Sequence, residues 1–418
     1  MYLRGNKWTM TRRTRRRPSL WRIVLLLVLI GGGLYINQVV VPATPPLFIP
    51  TQTPTTSPES YVNQAQELYS EGKITQAIEA YKKAIYSNPG NPSNYVELAR
   101  LQVFAGQYDE AITNTQNALL KNPNNPLAQA VQAWALGMTG KYGEAELEIK
   151  KALALDPNNA LAHAYYAEIL INQRDFNLYD KAAEESRIAR DLNPNLFETH
   201  RARGLVLMNT DNVPEAIEEF KAALAINKNI ADVHLNLGIA YQSVKEYDKA
   251  EESFLAAYAL NPRDTVALTQ IALSYFSNGR YRQAEQYAEE AVKVDPSDPS
   301  LHGNLGIMIY KNEEYANSTP ELALAVEGGT TQDGVAVTGL PLDHGHIAEF
   351  YWFYGFALAR TNNCSKAIPI FQALLTGVPD DETAVYNANA GLDLCQQMIN
   401  GITSTPSPES AAQTTPTP

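Results

Sequence analysis

The chain has 418 residues, 45% of them hydrophobic, which is ample for a buried core, and a net charge of −12 at pH 7. That charge is unevenly divided: Arg4, Lys7, Arg12, Arg13, Arg15, Arg16, Arg17 and Arg22 all precede the first acidic residue, Glu59. Removing those 8 from the 33 Lys and Arg leaves 25 bases against 45 acids, so residues 59–418 carry −20, a polyanionic body that repels nucleic acid and argues against it as a partner.

The basic residues 1–19 run into an apolar stretch, IVLLLVLIGGGLYI, from Ile23 to Ile36. Its helix would be ~21 Å long against a hydrocarbon core of ~30 Å, so a membrane span must extend over 20–41, across Asn37 and Gln38. Bases before the span and none just after it place the N-terminus in the cytoplasm and the body outside. The expectation is therefore a single-pass signal-anchor in the cell membrane. The alternative is a cleaved signal peptide, with Val41 and Ala43 before a cut at Thr44, which would give a secreted protein. Residues 42–57 and 401–418 are rich in Pro and Thr with little to bury, and read as an extended linker and tail.

Between these segments the composition turns to Ala, Leu, Tyr and Glu with helical periodicity. Small residues recur at Ala77, Ala111, Ala145, Ala182, Ala216, Ala250 and Ala284, a step of 34 broken once by 37. A second column lies seven residues on, from Ala84 and Ala118 to Ala291 and Ala325, hence on the same helix face. Ala at both positions lets two helix axes approach closely. A third column, Pro89, Pro123, Pro157, Pro194, Pro262 and Pro296, ends one helix and clears the start of the next.

These columns resemble the tetratricopeptide repeat family, whose unit of 34 residues is a pair of antiparallel helices. The resemblance rests on Tyr95, Ala99, Gly106, Tyr108 and Ala111 in one unit and on His234, Gly238, Tyr241, Tyr247, Ala250 and Phe254 in another. It implies an all-α, right-handed superhelical solenoid of about nine hairpins, preceded by one transmembrane helix. The expected layout is eight repeats over 58–327, an insertion over 328–347, a ninth repeat over 348–381 and a capping helix over 382–400. Three extra residues around 175–180 suggest a longer turn in the fourth unit.

The family's ligands lie in the concave groove lined by the first helix of each pair. Carried over residue by residue, that groove would include Tyr69, Arg100, Phe104, Trp134, Met138, Glu168, Arg201, Met208, Gln242, Phe276, Tyr310, Trp352 and Phe356. The competing reading is that much of this set packs the inner wall. Trp352 and Phe356 would be stacked anchors for a partner, unless Val335, Val337, Leu340 and Leu342 of the insertion fold back over them. Cys364 and Cys395 would lie close enough in the family's geometry for a disulfide, the alternative being two free thiols.

His163, His200, His234 and His302 share one repeat position, and adjacent hairpins would hold them ~10 Å apart, too far to ligate one metal. They read as half-buried packing residues. His344 and His346 in the insertion could hold zinc only with a third ligand that the spacing does not supply. No glycine-rich phosphate loop, nucleophile elbow or Cys-x-x-Cys appears, so neither a cofactor nor catalysis is expected. The functional expectation is an extracytoplasmic scaffold holding a protein or peptide partner. An envelope element binding glycan or peptidoglycan is the alternative, with an enzyme using the insertion behind both.

Overall fold

The computed structural model describes residues 19–40 and 57–400. The chain divides into two compact units, 1–56 and 57–418. In the first, helix α1 (Leu20–Tyr35) continues into a single π-helical turn, Ile36–Val40. The 20 residues Leu20–Val39 are long and apolar enough to cross a membrane, at ~30 Å of helix, although a signal sequence meets the same test.

The second unit is a run of helical hairpins. They pair α2 (Pro58–Ser70) with α3 (Ile74–Ser87), α4 (Pro92–Phe104) with α5 (Tyr108–Lys121), and α6 (Pro126–Met138) with α7 (Tyr142–Leu155). Next come α8 (Ala160–Asn172) with α9 (Tyr179–Leu192), α10 (Phe197–Asn209) with α11 (Val213–Ile226), and α12 (Ala231–Ser243) with α13 (Tyr247–Leu260). The last three are α14 (Thr265–Ser277) with α15 (Tyr281–Val294), α16 (Pro299–Lys311) with α17 (Tyr315–Val326), and α18 (His346–Arg360) with α19 (Cys364–Gly377); α20 (Glu382–Ile399) closes the end.

Local chemistry sets these boundaries. Pro sits in the first turn of α2, α4, α6 and α16, where its missing N–H removes nothing from the helix. Asn125, Asn159 and Asp264 cap α6, α8 and α14, their side-chain oxygens accepting first-turn N–H groups. Inside each hairpin one residue turns the chain in the left-handed region, with φ from 55° to 78°; Gly72 does so in the first pair and Lys245 in the sixth. The extra residues of the fourth unit form a short 3-10 turn, Phe176–Leu178.

Packing within a hairpin follows a compensation rule. Both alanine columns are buried at 2% exposure or less. In most hairpins the small residue of the first helix, Ala or Gly, is matched in size by the residue sixteen further on, the first hairpin departing with Ala65 and the large Tyr81 at these positions. Gly204, Gly238 and Gly355 each lie under a phenyl ring, Phe220, Phe254 and Phe371, and a Cβ on any of them would come within 2.6 Å of that ring. Where Ala stands instead, as at Ala99, Ala133 and Ala272, the partner shrinks to Thr115, Ile149 and Ala288. Phe371 is held from both sides, since Gly391 of α20 meets it as closely as Gly355 does. The terminal helix therefore seals the last hairpin, and the Cys364–Cys395 disulfide pins it there with the two Cα atoms 5.4 Å apart.

The insertion departs from the all-α pattern. It forms a two-stranded antiparallel hairpin, β1 (Gly329–Thr330) with β2 (Ala336–Val337), whose turn is closed by Thr331 N–H donating to the Val335 carbonyl at 2.8 Å. The chain then packs back on the ninth repeat: Leu340 and Leu342 lie against the cluster containing Phe350, Trp352 and Phe353, and Tyr351 donates its hydroxyl to the Leu340 carbonyl at 2.7 Å.

Candidate functional site

The inner faces of the first helices converge most tightly in the N-terminal half. Arg100 on α4 pairs with Glu97 at 2.7 Å and, across the superhelix, with Glu198 at the start of α10. Phe104 lies between Trp134, at 5.0 Å between ring centroids, and Phe197, at 5.6 Å. Trp134 stacks on Tyr165 at 4.4 Å and donates its indole N–H to Glu168 at 2.9 Å. Arg201 completes the group, paired with both Glu168 and Asp232 and lying over the rings of Phe104 and Trp134. Burial pushes the Glu168 carboxyl above the usual carboxylate range, against the pull of Arg201 and the Trp134 N–H.

This geometry corrects part of the sequence reading. Trp134, Glu168, Arg201 and Trp352 are buried in the chain itself and present no free surface. For the first three, the reason is that side chains from neighbouring repeats meet one another, with Phe104 of α4 also lying against Trp134 and beneath Arg201. Trp352 belongs instead to the cluster onto which the insertion folds. Met138, Met208 and Gln242 are half-buried on the wall. Phe276 and Tyr310 form a half-buried aromatic path with Phe353, and Lys311 rests against it, its ammonium 5.4 Å from the Phe353 ring and 5.9 Å from Phe276. Burial pulls that lysine below its ordinary range, despite Glu349 nearby. Phe356 packs on Phe371 at 5.3 Å.

Among the described residues a cleft of about 660 Å³ lies open between α2 and α4. Of the expected groove residues it contains Tyr69, Arg100 and Phe104, joined by Asn63, Gln66, Asn94 and Glu97. The last four were missed because at most two inner positions per helix were taken, whereas further residues three and four away share the face. Among the described residues, neither the Asn63 nor the Asn94 side-chain amide has a hydrogen-bond partner. The cleft thus offers free donors and acceptors beside aromatic rings, with Arg100 already neutralised by two carboxylates.

The histidines are engaged individually. His344 lies between Asp343 at 3.1 Å and Asp380 at 2.9 Å, and His346 between Glu349 at 2.9 Å and Asn304 at 2.8 Å. Among the described residues no group of three or more His, Cys, Asp or Glu side chains is placed to hold a metal ion.

A run of stacked helical hairpins defines a repeat scaffold. Tetratricopeptide repeat models match residues 68–135, 231–264 and 269–333. The chain belongs to the tetratricopeptide repeat family. Solved structures similar to it include the APC/C hetero-tetramer Cut9-Hcn1, at 19% identity and a TM-score of 0.48, covering 60% of this chain and 49% of that one. TTC0263, a thermophilic protein of the same family from Thermus thermophilus, is 23% identical with a TM-score of 0.40 over 44% of this chain and all of its own. YrrB, described as having an unusual peptide-binding site, is 24% identical with a TM-score of 0.29 over 46% of this chain and 97% of its own. The chain thus spans about half the length of the first of these. No curated protein sequence matches it.

Proposed function

We propose that this scaffold is held to the cell membrane by α1, with the repeats outside the cytoplasm, and that it binds an extended segment of a partner protein in the cleft between α2 and α4. The observation that carries the reading is the pair of unpartnered amides, Asn63 and Asn94, in the part of the inner surface that the protein does not fill itself. An amide can donate to and accept from a peptide backbone at once, and Tyr69 and Phe104 supply apolar walls for side chains. The orientation is supported by the eight bases ahead of Ile23 and none between Arg22 and Glu59.

The test is a photo-crosslinking residue introduced at Asn63, compared with the same residue at Tyr86, which is 91% exposed on α3. Protein adducts are expected from Asn63 and not from Tyr86. The double change Asn63→Leu, Asn94→Leu should weaken binding of the captured partner by about 1–3 kcal/mol. Adducts only from Tyr86, or retention of sugar polymer in place of protein, would reject the reading, the latter in favour of an envelope element that binds glycan.

A further inference from the structure

Three histidines at the same repeat position make the same pair of contacts. His163 Nε2 meets the Pro157 carbonyl at 3.0 Å and its Nδ1 meets Glu185 at 2.6 Å. His200 does so with Pro194 at 2.8 Å and Glu219 at 2.6 Å, and His302 with Pro296 at 3.0 Å and Glu321 at 2.6 Å. In each case the carbonyl belongs to the loop arriving from the preceding hairpin, and the glutamate to the second helix of the histidine's own hairpin. A carbonyl oxygen and a carboxylate only accept, so both ring nitrogens must donate, which requires two protons and a positive charge. A neutral ring would turn one lone pair toward an oxygen at these distances and lose one of the two ties.

We propose that His163, His200 and His302 are imidazolium staples that make the cohesion of the solenoid depend on pH. The contrast within the chain supports this. His234 also reaches back to a loop carbonyl, that of Lys228 at 2.8 Å, but Ser253 stands where the others have glutamate, and a neutral ring satisfies that single contact. Tyr95 makes the corresponding contact to the Pro89 carbonyl through its hydroxyl, at 3.3 Å.

The surroundings reinforce the charge. Asp156 faces His163 from its loop, and Asp298 and Asp295 lie near His302. Around His200, Arg190 of α9 opposes protonation, while Glu219 is shared with Arg190 at 3.4 Å and Arg203 at 3.3 Å. Burial alone would pull His163 and His302 down, yet their carboxylate and carbonyl bonds outweigh it and hold both above the ordinary histidine range. At His200 the Glu219 hydrogen bond leads and burial opposes it, with the same result. A raised folded value gives stability that is complete below the unfolded value of about 6.5 and is lost as pH rises through the folded values. His163 and His200 are in consecutive hairpins, so the loss falls on α8 to α11, the segment that carries Glu168 and Arg201.

The experiment uses the full chain in detergent micelles with labelled histidine, following ring resonances and thermal unfolding from about pH 6 to about pH 9. The three staple rings should titrate above the ordinary range, and Tm should fall by several degrees as they lose their protons. Glu185→Gln, Glu219→Gln and Glu321→Gln keep the side-chain shape and remove the charge, and each should lower the midpoint of its own histidine alone. Combined, they should flatten the pH dependence of Tm over this window. Ordinary midpoints in the unmodified protein, a Tm that does not fall, or a slope unchanged in the triple variant would overturn the proposal. The titration of the unmodified chain decides the first two points even if the triple variant does not fold.

Discussion

Replacing Gly238 with Ala tests the compensation rule at its tightest pair. The added Cβ would sit 2.4 Å from Phe254 Cε1 and 2.5 Å from its Cδ1, about an ångström inside ordinary contact, and Phe254 is fully buried with nowhere to retreat. In an exposed helix the same change would stabilise by about 1 kcal/mol through helix propensity. Overpacking of a closed core destabilises by about 1–3 kcal/mol, and the severity of this contact puts it toward the upper end, for a net loss of about 1–2 kcal/mol. Phe254→Ile alone leaves a void and should also destabilise, by about 1–2 kcal/mol. Together the two changes recreate the Ala133–Ile149 pair found elsewhere in the chain, so their effects should cancel in part, with a coupling of about 1–2 kcal/mol. The measurement is hydrogen exchange in α12 and α13, which reads this hairpin alone where a melting curve averages over the array. A neutral or stabilising Gly238→Ala, or a double variant no better than the sum of the singles, would refute the rule.

Cys364→Ser should loosen the C-terminal end. Loop entropy for a separation of 31 residues gives about 3.7 kcal/mol as the upper figure, read as earlier protease cleavage within α20 while the repeats before it stay protected. The proposed orientation predicts that protease added to intact cells, with any outer membrane permeabilised, removes a tag at the C-terminus. Protection of the tag would exclude that topology.

The hairpins were legible because their signals are local. The alanine columns and the Asn-Pro or Asp-Pro steps act within one or two helices. The extra residues near Asp175 announced a longer turn by arithmetic alone. The inner surface was not legible in the same way, since Arg100 and Glu198 are 98 residues apart and meet only through the accumulated rotation of intervening hairpins. No sequence column encodes that pitch. The insertion's hairpin was hidden because each strand has only two paired residues, too few for a period to show. The histidine staples were half legible: the shared position was visible, but their glutamates stand on another helix and were not sought.

One contact changes how the solenoid responds to load. Asn229 donates its side-chain amide to the Ser70 carbonyl at 2.7 Å, and a Cβ on Gly72 would strike the Asn229 carbonyl oxygen at 2.5 Å, so the turn of the first hairpin rests on the connection between the fifth and sixth. A stack touching only its neighbours behaves as a row of independent links. A coil tied back to itself over 159 residues behaves as a spring with its leading turns fastened, so that extension is taken up first by the hairpins beyond the tie. Fraying from the N-terminal end must break that fastening as well as a neighbour contact. Under tension, α14 to α19 would lengthen while the region around Arg201 kept its shape.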